Sequence, residues 1–360
     1  MPLRGDADTS VAVASVLAQA HRSLELRIVI DDCTDASAAS ARRTADGDGR
    51  VQIETLRNRA APASLVCHAQ IQALEDTGPG PGAVAFAAGD TVWHPQWLTL
   101  LLGALEEPNV GATLGNRWYR TDDGGWGALF RRLWNAGAVV IMWWLQIPWA
   151  GGMAVKRRAM IEADVIGVWR RSMVEDVSVV TALRKAGWKF RLVPDCIAVE
   201  DGEPGLAEVT AFIHRQDLWA RIYHPKWLLV MGHALLGAFL VILPLLLAAA
   251  GILTGEFSLA LHAIAIGAGY VVCLFLLLLL LESDVNGTLD KTGQARQRWS
   301  ARLVMRTLLA IPVVALFQAW TSVRAQFARQ VAWAGVHYTF DDRRGVSIVC
   351  DRKRKSGVSP

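Results

Sequence analysis

Leu26-Arg-Ile-Val-Ile-Asp-Asp-Cys-Thr-Asp35 decides the fold class. Five mostly aliphatic residues end on two acids, Asp31 and Asp32, which reads as a short buried strand running into a turn. Residues 10–20 upstream carry a helical pattern. Downstream, residues 36–44 fit a helix, 51–56 an alternating strand, 64–74 a second helix and 83–87 a buried strand. Strands alternating with helices predict an α/β fold with a doubly wound, Rossmann-like parallel sheet. Such sheets bind ligands beyond the carboxyl ends of their strands, where Asp31, Asp32 and Asp90 fall. An acid after a strand also serves as a turn or helix cap, so the binding and capping readings stand side by side.

The rest of the chain is of another kind. Of 360 residues, 52% are hydrophobic and 19% charged, which excludes a disordered chain, a collagen-like repeat and a small disulfide scaffold. Five cysteines lie far apart with no Cys-x-x-Cys pair, as suits a reducing cytosolic face. A net charge of +4 is too small to imply nucleic acid. Most of the charge lies in residues 1–226. Residues 228–250 and 258–281 form two apolar runs, each long enough to cross about 30 Å of hydrocarbon. A third run, residues 307–323, is shorter and holds Pro312, Gln318 and Thr321. Lys291, Arg296, Arg298, Arg302 and Arg306 follow the second run, and basic flanks mark the cytosolic side. Three crossings would strand the basic group 352–355 on the far side, so two crossings plus one interfacial helix are preferred. The expected organisation is a cytosolic catalytic domain (1–226), a two-helix membrane hairpin (227–282), a basic loop with a third membrane or interfacial helix (283–330) and a β-like basic tail (331–360).

Five segments in order resemble the motifs of glycosyltransferase family 2, and specifically its ceramide-glucosyltransferase-like membrane members. They are Ile28-Val-Ile-Asp-Asp-Cys-Thr-Asp35, Ala87-Ala-Gly-Asp-Thr-Val-Trp-His-Pro-Gln-Trp-Leu98, Trp149-Ala-Gly-Gly-Met-Ala-Val-Lys156, Val174-Glu-Asp176 with its following helix, and Arg215-Gln-Asp-Leu-Trp219. The resemblance implies a GT-A catalytic domain followed by C-terminal transmembrane helices. It also implies that Met1-Pro-Leu-Arg-Gly5 is the tail of a first strand with a piece missing before it. By the same resemblance Asp31 or Asp32 binds the nucleoside and Asp90 holds Mg²⁺ or Mn²⁺. Arg215, Gln216 and Trp219 close over the donor. Trp149, Gly151 and Gly152 line the acceptor side. Asp176 acts as general base.

The chemistry demands such groups. A sugar leaves a nucleotide diphosphate only if the departing charge is neutralised, and hard cations do this through oxygen ligands. A carboxylate must take the acceptor hydroxyl's proton as it attacks from the opposite face, which inverts the anomeric centre. Asp176 also reads as the N-cap of a helix over residues 177–186. Two departures count against the pattern: Ala88 replaces the first carboxylate of the metal turn, and Leu218 the arginine of the last motif, with Arg221 three residues on. The Trp-rich run 129–145 reads either as a buried helix or as a hydrophobic portal through which a lipid hydroxyl reaches Asp176. The expectation is a multi-pass membrane enzyme, its catalytic domain cytoplasmic, moving a sugar from a nucleotide donor such as UDP-glucose to a membrane lipid. A polysaccharide or polyprenyl-phosphate glycosyltransferase and a silent scaffold of the same fold are the alternatives.

Overall fold

The computed structural model describes every residue except 6, 22, 32–35, 60–61, 76–81, 123, 150, 342–344 and 352–360. It divides into two compact units. The first comprises Met1–Arg117, Ile147–Ala198 and Ala328–Pro360, the second Trp118–Gln146 and Val199–Phe327.

The chain begins with β1 (Pro2–Leu3), α1 (Ser10–Leu17), β2 (Leu26–Ile30), α2 (Ala36–Ala45) and β3 (Val51–Thr55). Strand β2 pairs in parallel with β1 on one side and β3 on the other, Leu3 opposite Ile30 and Ile28 opposite Ile53. Its run of Ile28, Val29 and Ile30 is buried, as expected of a strand covered on both faces. Next come α3 (Leu65–Glu75), β4 (Ala83–Ala87), α4 (Trp97–Leu105) and β5 (Val110–Tyr119), and the chain passes into the second unit as α5 (Trp126–Leu145). It returns through β6 (Gly152–Lys156), α6 (Arg157–Glu162), α7 (Val165–Trp169), α8 (Asp176–Lys185) and β7 (Lys189–Glu200).

Strands β4 to β7 form a second sheet in the order β4-β6-β5-β7, where β6 is antiparallel to both β4 and β5. The α/β class stands: β7 runs alongside β5 in the same direction, the Lys189 amide donating to the Asn109 carbonyl and the Arg120 amide to the Glu200 carbonyl, and β6 alone is inserted antiparallel. Alternation along the sequence identifies the elements and not their partners, and β6 returns from the excursion 118–146 to insert between β4 and β5. Strand β7 contains Pro194, which its edge position tolerates. Beneath the sheet lies one apolar core, including Phe86, Leu114, Met153, Trp169 and Leu183.

In the second unit, α5 is followed by α9 (Leu206–Tyr223), α10 (Trp227–Thr254), α11 (Phe257–Lys291) and α12 (Ala301–Phe327). The last three are long and apolar enough to cross a membrane, with mean hydropathy 2.6, 2.8 and 1.7. Helices α10 and α11 pack through small residues: Gly251 lies against the backbone of Ala260, and Gly267 against Pro244. Helix α5 packs its Leu129 and Phe130 against Leu303, Val314 and Phe317 of α12 and Ile213 of α9. Arg132 of α5 is buried and ion-paired with Glu282 of α11, which also accepts a 2.8 Å hydrogen bond from Trp299 Nε1.

The chain re-enters the first unit as β8 (Gln330–Trp333), β9 (Val336–Asp341) and β10 (Gly345–Asp351), an antiparallel sheet.

Candidate active site

The first unit gathers most of the expected residues around one strand pair. Ala87 at the end of β4 is paired with Gly152 at the start of β6, so the turn carrying Asp90 emerges beside Gly151 and Gly152. Aromatic rings make the junction. Trp93 stacks on Trp97 at 4.2 Å and lies 5.7 Å from Trp149, and a Cβ on Gly152 would come within 3.3 Å of both Trp93 and Trp149. Gly151 is packed still more closely against the Trp149 ring. Gly151 therefore admits an indole where any side chain would collide, and Gly152 leaves only a tight fit. The Arg117 guanidinium lies 4.0 Å from the centre of the same Trp149 ring.

Asp31 reaches this neighbourhood through β1. Its amide donates to the carbonyl of Leu3 at 2.9 Å, and the side chain of Leu3 fills the space a Cβ on Gly89 would need. Leu3 is thus the shared neighbour of the Asp31 and Asp90 turns. Asp31 is buried and ion-paired with Arg4, and with Arg59 at 2.9 Å. Its carboxylate is held by two guanidiniums of this chain, a fixed and charge-compensated position. Neither arginine stands out in sequence, because no periodicity marks a partner far along the chain. Asp32, the alternative nucleoside ligand, lies outside the described residues.

Asp90 is exposed, its Oδ1 accepting from Thr91 Oγ1 at 3.3 Å. Among the described residues no group of three or more His, Cys, Asp or Glu is placed to hold an ion. A single carboxylate still fits Mg²⁺, which binds through one or two carboxylates and takes its other ligands from water and substrate phosphates.

The acid pair is anchored to the same strands from below. Trp169 Nε1 donates to the carbonyl of Glu175 at 3.0 Å, and its ring meets Phe86 of β4 edge-on at 5.7 Å. Asp176 is the first residue of α8, and Glu175 takes the N-cap position expected of Asp176. The Asp176 carboxylate turns back onto the amide of Val177, at 2.6 Å, at the positive end of the helix. Burial, and then the charge of Asp176, raise the pKa of Glu175 to about 8. At neutral pH Glu175 therefore keeps its proton, and the charge that opposes its ionisation is that of Asp176.

Arg215, Gln216 and Trp219 lie on α9 in the second unit. Trp219 is buried, and the Arg215 guanidinium lies 5.7 Å from the Phe212 ring. Between them Asp217 is buried, with Gln318 Nε2 and Ser322 Oγ of α12 donating to it at 3.1 and 3.2 Å. Burial raises its pKa to about 7. Arg221, the candidate to replace the missing arginine, donates to the carbonyl of Gln326 at 2.6 Å. On α5, Val140, Trp143 and Trp144 are exposed and Met142 half-buried, so the apolar run is a helix with one open face.

No curated protein sequence matches the chain. Among solved structures, glucosyl-3-phosphoglycerate synthase from Mycobacterium tuberculosis, in complex with phosphoglyceric acid, aligns at 15% identity and a TM-score of 0.38. The alignment covers 58% of this chain and 73% of that one. A mycobacterial protein aligns at 17% identity and a TM-score of 0.38, covering 61% of this chain and 72% of its own. Residues 9–168 match the model of glycosyl transferase family 2, a span that holds Asp31, Asp90, Trp149, Gly151 and Gly152. The matched segment, less than half of the chain, is similar to glycosyl transferase family 2 and marks the protein as a glycosyltransferase.

Proposed function

We propose that the protein is a membrane-bound inverting glycosyltransferase that moves a sugar, glucose in the favoured reading, from a uridine diphosphate donor to a lipid hydroxyl. The observation that carries this reading is the acid pair at the start of α8, anchored through Trp169 to the strand pair that bears Asp90 and the Gly151–Gly152 approach. A protonated Glu175 beside it leaves Asp176 as the proton acceptor. The acceptor oxygen attacks the anomeric carbon, the bond from that carbon to the diphosphate oxygen breaks, and the hydroxyl proton passes to Asp176. Asp90 would hold a divalent cation, which when bound neutralises the charge on the departing diphosphate. The apolar helices that follow the domain support a lipid acceptor, since they would hold the enzyme where lipids are.

The test is transfer of radiolabelled sugar from UDP-glucose into solvent-extractable lipid, by membranes containing wild type or Asp176→Asn, each with Mn²⁺ or with chelator. Label that depends on Asp176 and on the metal is the expected result, with a loss of at least about a hundredfold in the variant. Label that survives Asp176→Asn removes the assigned base. UDP binding with no transfer to any acceptor would support the silent-scaffold reading, to which Ala88 and Leu218 point.

A further inference from the structure

We propose that α12 does not cross the bilayer. It lies in the boundary between headgroups and acyl chains of one leaflet, its exposed apolar stripe seated among lipids, while α10 and α11 alone cross. The proposal rests on the membrane-bound reading above.

The geometry of the helical hairpin comes first. Gly251 against Ala260, Pro244 against Gly267 and Gly237 near the Tyr270 hydroxyl pair α10 with α11 in antiparallel fashion around the turn at Gly255. The start of α10 and the Glu282 region of α11 therefore share the end of the hairpin remote from that turn. Both ends of α12 are tied to this end. Just before its start, Trp299 donates to Glu282 and meets Phe275 edge-on at 5.8 Å. At its finish, Gln326 Oε1 accepts from Trp227 Nε1 at 2.6 Å. Twenty-seven residues of helix extend about 40 Å, so a crossing α12 would carry one of its ends to the level of Gly255.

Chain parity gives the same answer independently. The polypeptide leaves the first unit after Ala198 and rejoins it at Ala328. Within that unit the tail is bound firmly: Arg4 Nε donates to the carbonyl of Ala334 at 2.8 Å, and the amide of Val346 donates to the carbonyl of Pro62 at 3.1 Å. A segment that starts and ends in one compact body on one side of a membrane crosses an even number of times. Three crossings are excluded, and α12 is the least apolar of the three candidates.

The surface of α12 matches an in-plane helix. Met305, Leu309, Val313, Leu316, Trp320 and Val323 are exposed and recur every three or four residues, which makes one continuous stripe. The opposite side is packed by α9, where Ile213 meets Val314, Asp217 meets Gln318 and Ser322, and Arg221 meets Gln326. A spanning α12 would drag the charged groups of α9 into hydrocarbon, at several kcal/mol each. Continuity with α10 and α11 identifies lipid as what covers the stripe. The Arg324 guanidinium, 5.4 Å from the Trp320 ring, supplies a cation at headgroup level.

The experiment uses the full chain, with its native cysteines replaced, in proteoliposomes. Single cysteines are placed at Glu162, Glu256 and Gln330, and at Met305, Leu309, Val313 and Trp320 along the stripe. An impermeant maleimide should reach Glu162→Cys and Gln330→Cys from one side and Glu256→Cys from the other. Nitroxides on the four stripe positions should show nearly constant depth, each several-fold more accessible to oxygen than to a water-soluble nickel chelate. Labelling of Gln330→Cys from the side of Glu256→Cys, or a depth that climbs to one maximum near Val313, overturns the proposal. Stripe nitroxides shielded from both reagents overturn it as well, in favour of a second copy of the chain as the cover. If Glu256→Cys labels from the same side as Glu162→Cys, the membrane-bound reading itself fails.

Discussion

Glu282→Gln tests the buried ion pair of the helical unit. Arg132 and Glu282 are 1% and 4% exposed at their side chains, and the guanidinium also lies 4.5 Å from the Trp299 ring. The amide keeps the shape and a partner for Trp299 Nε1 but removes the charge, so Arg132 is left as a cation in a dry site. Breaking a buried pair from one side costs about 3–5 kcal/mol, because the remaining charge has lost its solvent and its partner together. At roughly 3 °C per kcal/mol for a body of this size, the midpoint of thermal unfolding should fall by about 10–15 °C. The pair is also imperfect, since Arg132 Nε and Nη1 have no hydrogen-bond partner. Replacing both members, Arg132→Met with Glu282→Leu, should therefore recover most of the loss, and apolar replacements of this kind are often neutral or stabilising by about 1–4 kcal/mol. The assay is thermal unfolding of the purified full chain in one detergent at fixed protein concentration and heating rate. A single variant within about 3 °C of wild type, or a double variant no better than the single, would refute the reasoning.

Other substitutions probe the catalytic unit. Asp31→Asn leaves Arg4 and Arg59 facing a neutral group and should cost about 3 kcal/mol, read as a lowered unfolding midpoint. Gly115→Ala places a Cβ about 2.2 Å from the Cys196 carbonyl oxygen, where only backbone can yield; loss of well over 1 kcal/mol is expected, and a neutral result would mean that β5 and β7 are less close than described. The raised pKa of Glu175 predicts a direction with pH. The folded state holds a proton that the unfolded chain releases near 4.5, so this contribution is complete below that pH and is lost as pH rises to about 8. Unfolding midpoints measured across that range should decline more steeply for wild type than for Glu175→Gln.

How much of this was legible in the sequence depends on whether the signal was local. Strand β2 with its two acids, the turn at Asp90, the glycines at 151 and 152 and the Glu175–Asp176 pair are contiguous patterns, and each falls where a contiguous pattern can be read. The antiparallel insertion of β6, the two arginines on Asp31 and the stacking of Arg117 on Trp149 depend on residues far apart in the chain, which no local periodicity encodes. The position of Asp176 moved by one residue, from cap to first helical turn, because a carboxylate satisfies amides at either place. Composition already set α12 apart from α10 and α11 as the least apolar of the three. What touches its ends, Trp299 on Glu282 and Gln326 on Trp227, joins residues far apart in the chain and was not legible.

The docked tail has a consequence for biosynthesis. The amide of Leu65 donates to the Tyr338 hydroxyl, and the carbonyl of Ala334 accepts from Arg4, across 273 and 330 residues of chain. The first unit is thus begun by segments made before α10 to α12 and completed by strands made after them. Throughout synthesis of α10 to α12 it must persist without β8–β10, exposing the apolar surface on which Val336 and Tyr338 later become buried. A chain that stops after α12 would carry every acid of the candidate site and still fold as an unfinished body. Slow or interrupted translation of β8–β10 should be felt as aggregation and turnover before it is felt as lost chemistry.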